Sequence, residues 1–372
     1  MSGFAIKGKA RIYGAGSVIA DQIRLRLTGA TRAERSPSAP QGELPEIPVV
    51  EVGPSFPAET LVGSEARANA LLDGATRGVP RVALAALDRV SRRWLVRQVN
   101  PYLGEVDALA ERMGRPGGHF LSVNYEWGCT VAVGPSPDGT TARMVRTLDW
   151  FTPGLGRHVM AARVAGAAGP FVTMTWPGFV GVLQAMAPGR FCASINQAPM
   201  RRAGGGIFAI DWLAAKARVW GMPHLPPNLL LRRIFETARD YAEARRMMIE
   251  TPVAAPVTFS LAGLAPGETC VIERGEESAY VIDGPACVSN HWRGLDHGAH
   301  ARGIDSKGRL AAMEKVGPVE LDGAMPWLRA PVLNELTRLA MVSDASQGQM
   351  IARGYEEGVA ATQLLELSAP SV

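Results

Sequence analysis

A short turn, Ser136-Pro137-Asp138-Gly139, separates the run Cys129-Thr-Val-Ala-Val-Gly134 from a segment carrying Arg146-Thr-Leu-Asp149-Trp150. No other stretch constrains the chain as much. Pro, Asp and Gly supply the backbone angles that reverse a chain, and the flanking runs are strand-like, so an antiparallel hairpin is expected. Counting outward from the turn puts Cys129 opposite Arg146, give or take one residue, and cross-strand partners lie close enough for side chains to touch. Asp149 is three residues past Arg146, an odd offset that would place it on the other face of a regular strand. For Asp149 to join the thiol and the guanidinium, the strand must end or bulge near Leu148. The alternative is a plain surface carboxylate.

Around the hairpin the pattern is helix first, then mixed sheet and helix. Ala83, Leu87, Val90 and Trp94 recur at helical spacing, as do Leu103, Val106, Leu109 and Met113, giving two amphipathic helices before the cysteine. Strands are expected over 120–125, over the hairpin, and over 180–186 and 191–196 around Ala187-Pro-Gly-Arg190, which suits a type II turn. Asn196 then ends a strand beside the edge of the first hairpin. Pro226-Pro-Asn228 opens a long helix with Leu230, Ile234, Ala238 and Tyr241 on one face. Further strands are expected over 269–274, 279–283 and 286–290, with helices closing the chain from about Leu328. This grouping argues for an α+β sandwich. The expected organisation is an extension or linker over 1–44, a mainly helical region over 45–128 and a catalytic region over 129–372.

At 372 residues and 47% hydrophobic composition the chain can bury a large core, and it has no run of eighteen apolar residues that would span a bilayer. A net charge of +4, spread along the chain without a basic run interleaved with aromatics, argues against nucleic acid as a partner. Four cysteines, none in CxxC spacing, are too sparse for a disulfide scaffold. The N-terminal residues lack the apolar run of a secretory signal, so a cytoplasmic location is expected. His291, His297 and His300 with Asp296 match no established zinc spacing, and neither metal nor other cofactor is expected.

Several segments occur in the order and at the spacings seen in acid ceramidase and N-acylethanolamine acid amidase. They are Asn124-Tyr-Glu-Trp-Gly-Cys129-Thr, Arg146-Thr-Leu-Asp149-Trp, Gly178-Phe-Val-Gly-Val-Leu, Ser194-Ile-Asn196, Gly267-Glu-Thr-Cys-Val-Ile-Glu-Arg274, Ser289-Asn290-His-Trp292 and Asp305-Ser-Lys-Gly-Arg309. The run Pro331-Val-Leu-Asn-Glu-Leu-Thr337, with Asp344 and Gln347-Gly-Gln349 after it, resembles the C-terminal end of acid ceramidase. The chain therefore resembles that branch of the N-terminal-nucleophile (Ntn) hydrolases over about 46–360.

The resemblance implies a four-layer αββα fold with an N-terminal helical segment, and autocatalytic cleavage between Gly128 and Cys129. It implies Cys129 as nucleophile, with its freed amine as base, a role that the α-amine's reference pKa of about 7.7–8.0 suits. Asp149 holds the amine, Arg146 stabilises the thiolate, Asn290 donates to the oxyanion with the backbone at Asn196, and Arg309 braces the set. The implied substrate is a small-molecule N-acyl amide such as a ceramide or an N-acylethanolamine. The apolar strip Trp176, Phe179, Val180 and Leu183 either receives the acyl tail or is sheet core. Transient contact with lipid surfaces, and fragments that stay associated after cleavage, are the other partners implied. The chain departs from the family at Gln197, where the family carries an acidic residue. Two other readings stay open: an acyltransferase of the acyl-coenzyme-A penicillin acyltransferase type, echoed in Asn290-His291 and Asp305 to Arg309, and a catalytically silent lipid-binding member. Structural readings also remain, an ion pair for Arg146 with Asp149, a buried brace for Arg309 and a turn cap for Asn290.

Overall fold

A computed structural model describes residues 43–123, 126–203, 207–295 and 298–368. The first part carries β1 (Val49–Gly53) and helices α1 (Glu65–Thr76), α2 (Arg81–Arg97), α3 (Leu103–Met113) and α4 (Gly118–Val123). The hairpin follows as β2 (Trp127–Pro135) and β3 (Ala142–Trp150), then β4 (Met160–Gly166), β5 (Gly169–Thr175), β6 (Gln184–Ala187), β7 (Phe191–Gln197) and β8 (Met200–Arg201). Helices α5 (Phe208–Gly221), α6 (Pro227–Thr237) and α7 (Tyr241–Glu250) lead to β9 (Val257–Ala262), β10 (Thr269–Arg274), β11 (Ala279–Asp283), β12 (Ala286–Val288) and β13 (Ala299–His300). After α8 (Ser306–Met313) come β14 (Thr337–Asp344), β15 (Gln349–Glu356), β16 (Val359–Ala360) and β17 (Leu365–Ser368).

Two sheets face each other. One runs β1-β4-β5-β6-β7-β9-β10-β11 and the other β12-β2-β3-β14-β15-β16, with β17 paired to β15. β2 and β3 of the second sheet pack against β7 and β9 of the first, α6 and α7 cover the first sheet's outer face, and α8 lies on β2 and β12. This is a four-layer αββα sandwich with an N-terminal helical segment, the fold the resemblance implies. Met144, Leu148, Val131 and Met341 point between the sheets with Ile195 and Phe259, while Val145, Ala340 and Val342 face outward onto Met313, Trp327 and Val332. Both faces of β3 and β14 are thus covered, which is why these strands lack polar alternation. Each such side chain withdrawn from water contributes roughly 1.5–3 kcal/mol.

The N-terminal segment does not form a core of its own. β1 pairs in parallel with β4, Phe56 and Leu71 join the main core, and Leu61, Tyr102 and Val106 pack with Val180 and Leu229. The buried Arg232 on α6 pins it, bonding both oxygens of Glu105 and lying over the Tyr102 ring at 4.1 Å.

Four sequence expectations are corrected. Residues 118–123 are helical rather than the start of a strand at Phe120, and Asn124 and Tyr125 lie outside the described residues. The long helix from Pro227 stops at Thr237, because Asp240 caps a new one by accepting from the Glu243 N–H at 2.8 Å. The strand before Ala187-Pro-Gly-Arg190 starts only at Gln184, although the turn itself is as expected, with Gly189 at φ 69° and the Arg190 N–H bonded to the Ala187 carbonyl. The chain beyond Leu328 ends in four strands rather than helices.

Candidate active site

The β2–β3 connection is longer than the turn residues suggest. Pro135 pairs with Ala142, so Thr140 and Thr141 belong to the loop, where the Asp138 carboxylate accepts from the Thr140 N–H and hydroxyl. The register pairs Cys129 with Leu148 and Val131 with Arg146, two residues away from direct opposition of Cys129 and Arg146. An offset of two keeps both side chains on the same face, and the diagonal gap is within reach of a long side chain. Arg146 accordingly donates from Nη2 to Cys129 Sγ at 3.1 Å and from Nη1 to Asn196 Oδ1 at 3.3 Å. Asn196 lies on β7 in the facing sheet, not beside the hairpin's edge, so the sulfur sits between the two sheets.

Cys129 and Arg146 are both fully buried. Burial pushes the thiol up to about 12, with Asp149 adding to the rise while Arg146, Arg309 and the Gln197 N–H pull it down. A thiol so placed is protonated at neutral pH. Burial lowers the Arg146 pKa as well, and among the described residues no carboxylate lies within ion-pair distance of it. Its charge, which a guanidinium keeps at any ordinary pH, is directed at the sulfur and the Asn196 amide.

On the opposite face of the hairpin the second half of the constellation assembles. β3 continues past Leu148 to Trp150, and the irregularity lies in the neighbouring strand, between Thr337 and Leu339 of β14. Asp149 is thus neither on a bulge of its own strand nor a surface group. It is buried on the outer face, accepting from Thr337 Oγ1 at 2.9 Å and Asn334 Nδ2 at 3.1 Å, with Arg309 Nη1 at 3.7 Å. Its register partner is Gly128, where a side chain would begin 3.4 Å from Asp149 Cβ and 3.2 Å from Gly303 Cα. The bare backbone at Gly128 lets a carboxylate on the outer face stand next to the peptide that leads into an inward-facing cysteine.

Asp305, at φ 37°, caps α8 through the Gly308 N–H and sends Arg309 inward from the first turn. Arg309 donates to the Cys129 carbonyl at 2.5 Å, Thr130 Oγ1 at 2.8 Å and Asn290 Oδ1 at 3.0 Å. Asn290 Oδ1 also accepts the Cys129 N–H at 2.7 Å, and its Nδ2 donates to the Gln197 carbonyl at 2.9 Å. These partners fix the amide's orientation. To serve an oxyanion, Nδ2 must first release Gln197. The Gln197 side chain, for its part, accepts the Trp127 N–H at 2.8 Å.

Cys129, Arg146, Asp149, Asn196, Asn290 and Arg309 therefore form one buried, connected cluster. Asn334, Thr337 and Ser306 belong to it too, Ser306 through a 2.9 Å bond from the Asn290 N–H to its hydroxyl. Their signal was available, since Asn334 and Thr337 sit in the run that resembles the end of acid ceramidase and Ser306 in Asp305-Ser-Lys-Gly-Arg309.

Trp176, Phe179 and Val180 line a cavity of about 200 Å³ together with Leu71, Leu109 and Trp150. Leu183, expected with them, lies in the main core instead. Trp127 stacks on Trp150 with centroids 5.6 Å apart, and Trp150 meets Trp176 edge-on at 5.7 Å, so a chain of rings leads from the cavity to the residue two before Cys129. His300 pairs with Asp211 at 2.7 Å and His291 with Ser306, while Asp296 and His297 lie outside the described residues. All four cysteines are free thiols.

No family model matches the chain. Among curated proteins, the acid ceramidase of Homo sapiens is 25% identical over 190 residues, covering 48% of this chain and 46% of that protein. The acid ceramidase of Mus musculus is 31% identical over 105 residues, 28% of this chain and 25% of that one. The matched part of the chain thus spans about half the length of the human relative, or less. Among solved structures, the Caenorhabditis elegans ortholog of N-acylethanolamine-hydrolyzing acid amidase aligns over 57% of this chain and 92% of its own, at 20% identity and a TM-score of 0.45. By sequence, then, the chain is similar to acid ceramidases, in keeping with the resemblance carried by its motifs.

Proposed function

We propose that this chain is a cysteine amidase of the N-terminal-nucleophile type that cuts itself between Gly128 and Cys129 and then hydrolyses N-acyl amides to a fatty acid and an amine. The observation that carries the reading is the arrangement about one residue. The Cys129 sulfur faces a guanidinium at 3.1 Å, while its backbone nitrogen and carbonyl are gripped by Asn290 and Arg309. A structural cysteine needs none of these partners.

In the first step the Cys129 sulfur attacks the Gly128 carbonyl. The S–C bond forms as the C–N bond breaks, and the thiol proton ends on the released nitrogen. Water then hydrolyses the thioester, leaving a Gly128 carboxylate and a free Cys129 amine. That amine stands beside Asn290 Oδ1, with Asp149 next to the position Gly128 vacates. In turnover the amine takes the thiol proton, Arg146 favours the thiolate, and the thiolate attacks the substrate carbonyl. The amine proton passes to the leaving nitrogen, and water releases the fatty acid and restores the thiol. The cavity beside Trp176 and Phe179 suits the acyl chain, since burial of each CH₂ is worth roughly 0.8 kcal/mol. The ladder between β1 and β4 and the Arg232 cluster would keep the fragments associated.

Intact-mass measurement and N-terminal sequencing of purified protein, alongside release of palmitate from N-palmitoyl amides, test this. Two fragments, the second starting at Cys129, with activity that tracks the cut fraction, are expected. Full activity in an intact chain overturns the mechanism.

A further inference from the structure

Gly128 has no side chain with which to fix the peptide that is to be cut, so the chain ahead of it must be held from further back. Two residues upstream, Glu126 is held tightly. Its side chain is 8% exposed, and its carboxylate receives the Arg302 guanidinium on one oxygen. The other oxygen accepts from the Trp212 indole N–H at 3.2 Å and lies 3.7 Å from Lys216 Nζ. Arg302 is not a loose surface partner. Its Nε donates to the Ala198 carbonyl, its N–H to the Asn290 carbonyl at 3.1 Å, and its own carbonyl accepts from Arg309 Nη2 at 3.3 Å. Arg302 thus joins Glu126 to the same two residues that grip the Cys129 side of the bond.

We propose that Glu126 is the positioning residue for self-cleavage, its carboxylate anchoring the segment ahead of Gly128 against Arg302, Trp212 and Lys216 while Asn290 and Arg309 anchor the segment behind it. The inference rests on the self-cleavage reading above. Held at both ends, the Gly128 carbonyl stays within reach of a buried sulfur that cannot move far. Misplacement by about 1 Å is enough to slow such a step on the order of a hundredfold. The anchor acts on the uncut chain, so the cut is the step that reports it; Glu126 and Trp212 also line the cavity beside Trp176 and Phe179, which makes turnover afterwards a separate readout.

The test follows the rate at which freshly refolded full-length chain is cut, by intact mass, in Glu126→Gln, Glu126→Asp and Trp212→Phe, with turnover on an N-palmitoyl amide expressed per cut chain. Glu126→Gln keeps the shape and loses the charge-assisted bonds. It is expected to cut at least tenfold more slowly, Glu126→Asp to recover part of that rate, and Trp212→Phe to slow the cut severalfold without touching the carboxylate. Removing one partner of a buried ion pair lowers stability, so cutting is followed well below each variant's unfolding temperature, with circular dichroism showing that the chain is folded. Cutting at the wild-type rate in both Glu126→Gln and Trp212→Phe overturns the proposal, as does Glu126→Asp cutting no faster than Glu126→Gln while both are folded. Wild-type protein that is active while intact instead sinks the self-cleavage reading, and this inference with it.

Discussion

Replacing Arg146 with Met separates the charge beside the sulfur from the bulk of the side chain that carries it. At 3.1 Å, with an effective dielectric constant of about 20, a guanidinium and a thiolate attract by about 5 kcal/mol. Much of this offsets the desolvation of the thiolate. A hydrogen bond to a charged group retains a net worth of about 1.5–3 kcal/mol, which corresponds to roughly ten- to 150-fold in rate. Arg146→Met should therefore slow hydrolysis per cut chain by that factor near neutral pH. The deficit should also depend on pH in a definite direction. Removing a cation raises the thiol pKa, so the deficit should be constant while pH lies below the wild-type thiol pKa and should narrow only above it. Stability should change little. The variant removes a buried charge that has no carboxylate partner among the described residues, a gain, and leaves Asn196 Oδ1 short of a donor, a cost of about 1–3 kcal/mol. Initial rates and thiol alkylation across pH on cut protein, with thermal unfolding as control, decide the matter. An Arg146→Met thiol that alkylates with the wild-type pH profile would show that Arg146 does not act through thiolate stabilisation.

Cys129→Ala should give an intact, folded, inactive chain by mass spectrometry and circular dichroism, and an active alanine variant would remove the nucleophile from the scheme. Asn290→Ala should slow hydrolysis by about a hundredfold or more while the protein stays folded, as loss of one oxyanion donor typically does; near-native turnover with a much lower unfolding temperature would make it a turn cap only. Gly303→Ala should destabilise by about 1–3 kcal/mol in urea titration, because φ is +68° and the added carbon would sit 2.8 Å from Arg309 Nη2; unchanged stability would contradict that packing. Rates on N-acyl amides should rise with acyl length and level off once the cavity beside Phe179 is full, and a flat profile from acetyl to palmitoyl rejects an acyl-binding role for it.

The hairpin and its partners were readable because the motif residues mark themselves through polar side chains embedded in apolar strands. Register was less readable. Thr140 and Thr141 look like strand residues, yet the Asp138 carboxylate draws Thr140 into the loop, and this shifts every pair by two. Asp149 was misplaced for a different reason. Strand parity put it on the far face correctly, but sequence gave no sign that the far face also belongs to the site, which follows from Arg309 arriving there on α8. The final strands read as helices in the sequence because Leu339 to Val342 face covered layers on both sides and lose the alternation that marks a half-exposed strand. Phe120 to Val123 is the converse, a segment too short for period alone to decide.

The central place of β14 sets a limit on timing. Strand β3, which carries Arg146 and Asp149, is flanked on one side by its hairpin partner and on the other by residues 337–344, so the Asp149 carboxylate gains its Thr337 partner only across 188 residues of chain. A nascent polypeptide that has emerged as far as α7 already contains the thiol, the guanidinium and Asn196, but not Asn290, Arg309 or the strand that buries Asp149. Its nucleophile is present and its scaffold is not. The self-cleavage proposed for Cys129 has to wait until residues 337–344 have been made and folded into place, and a chain stopped before Thr337 should remain whole however long it is incubated.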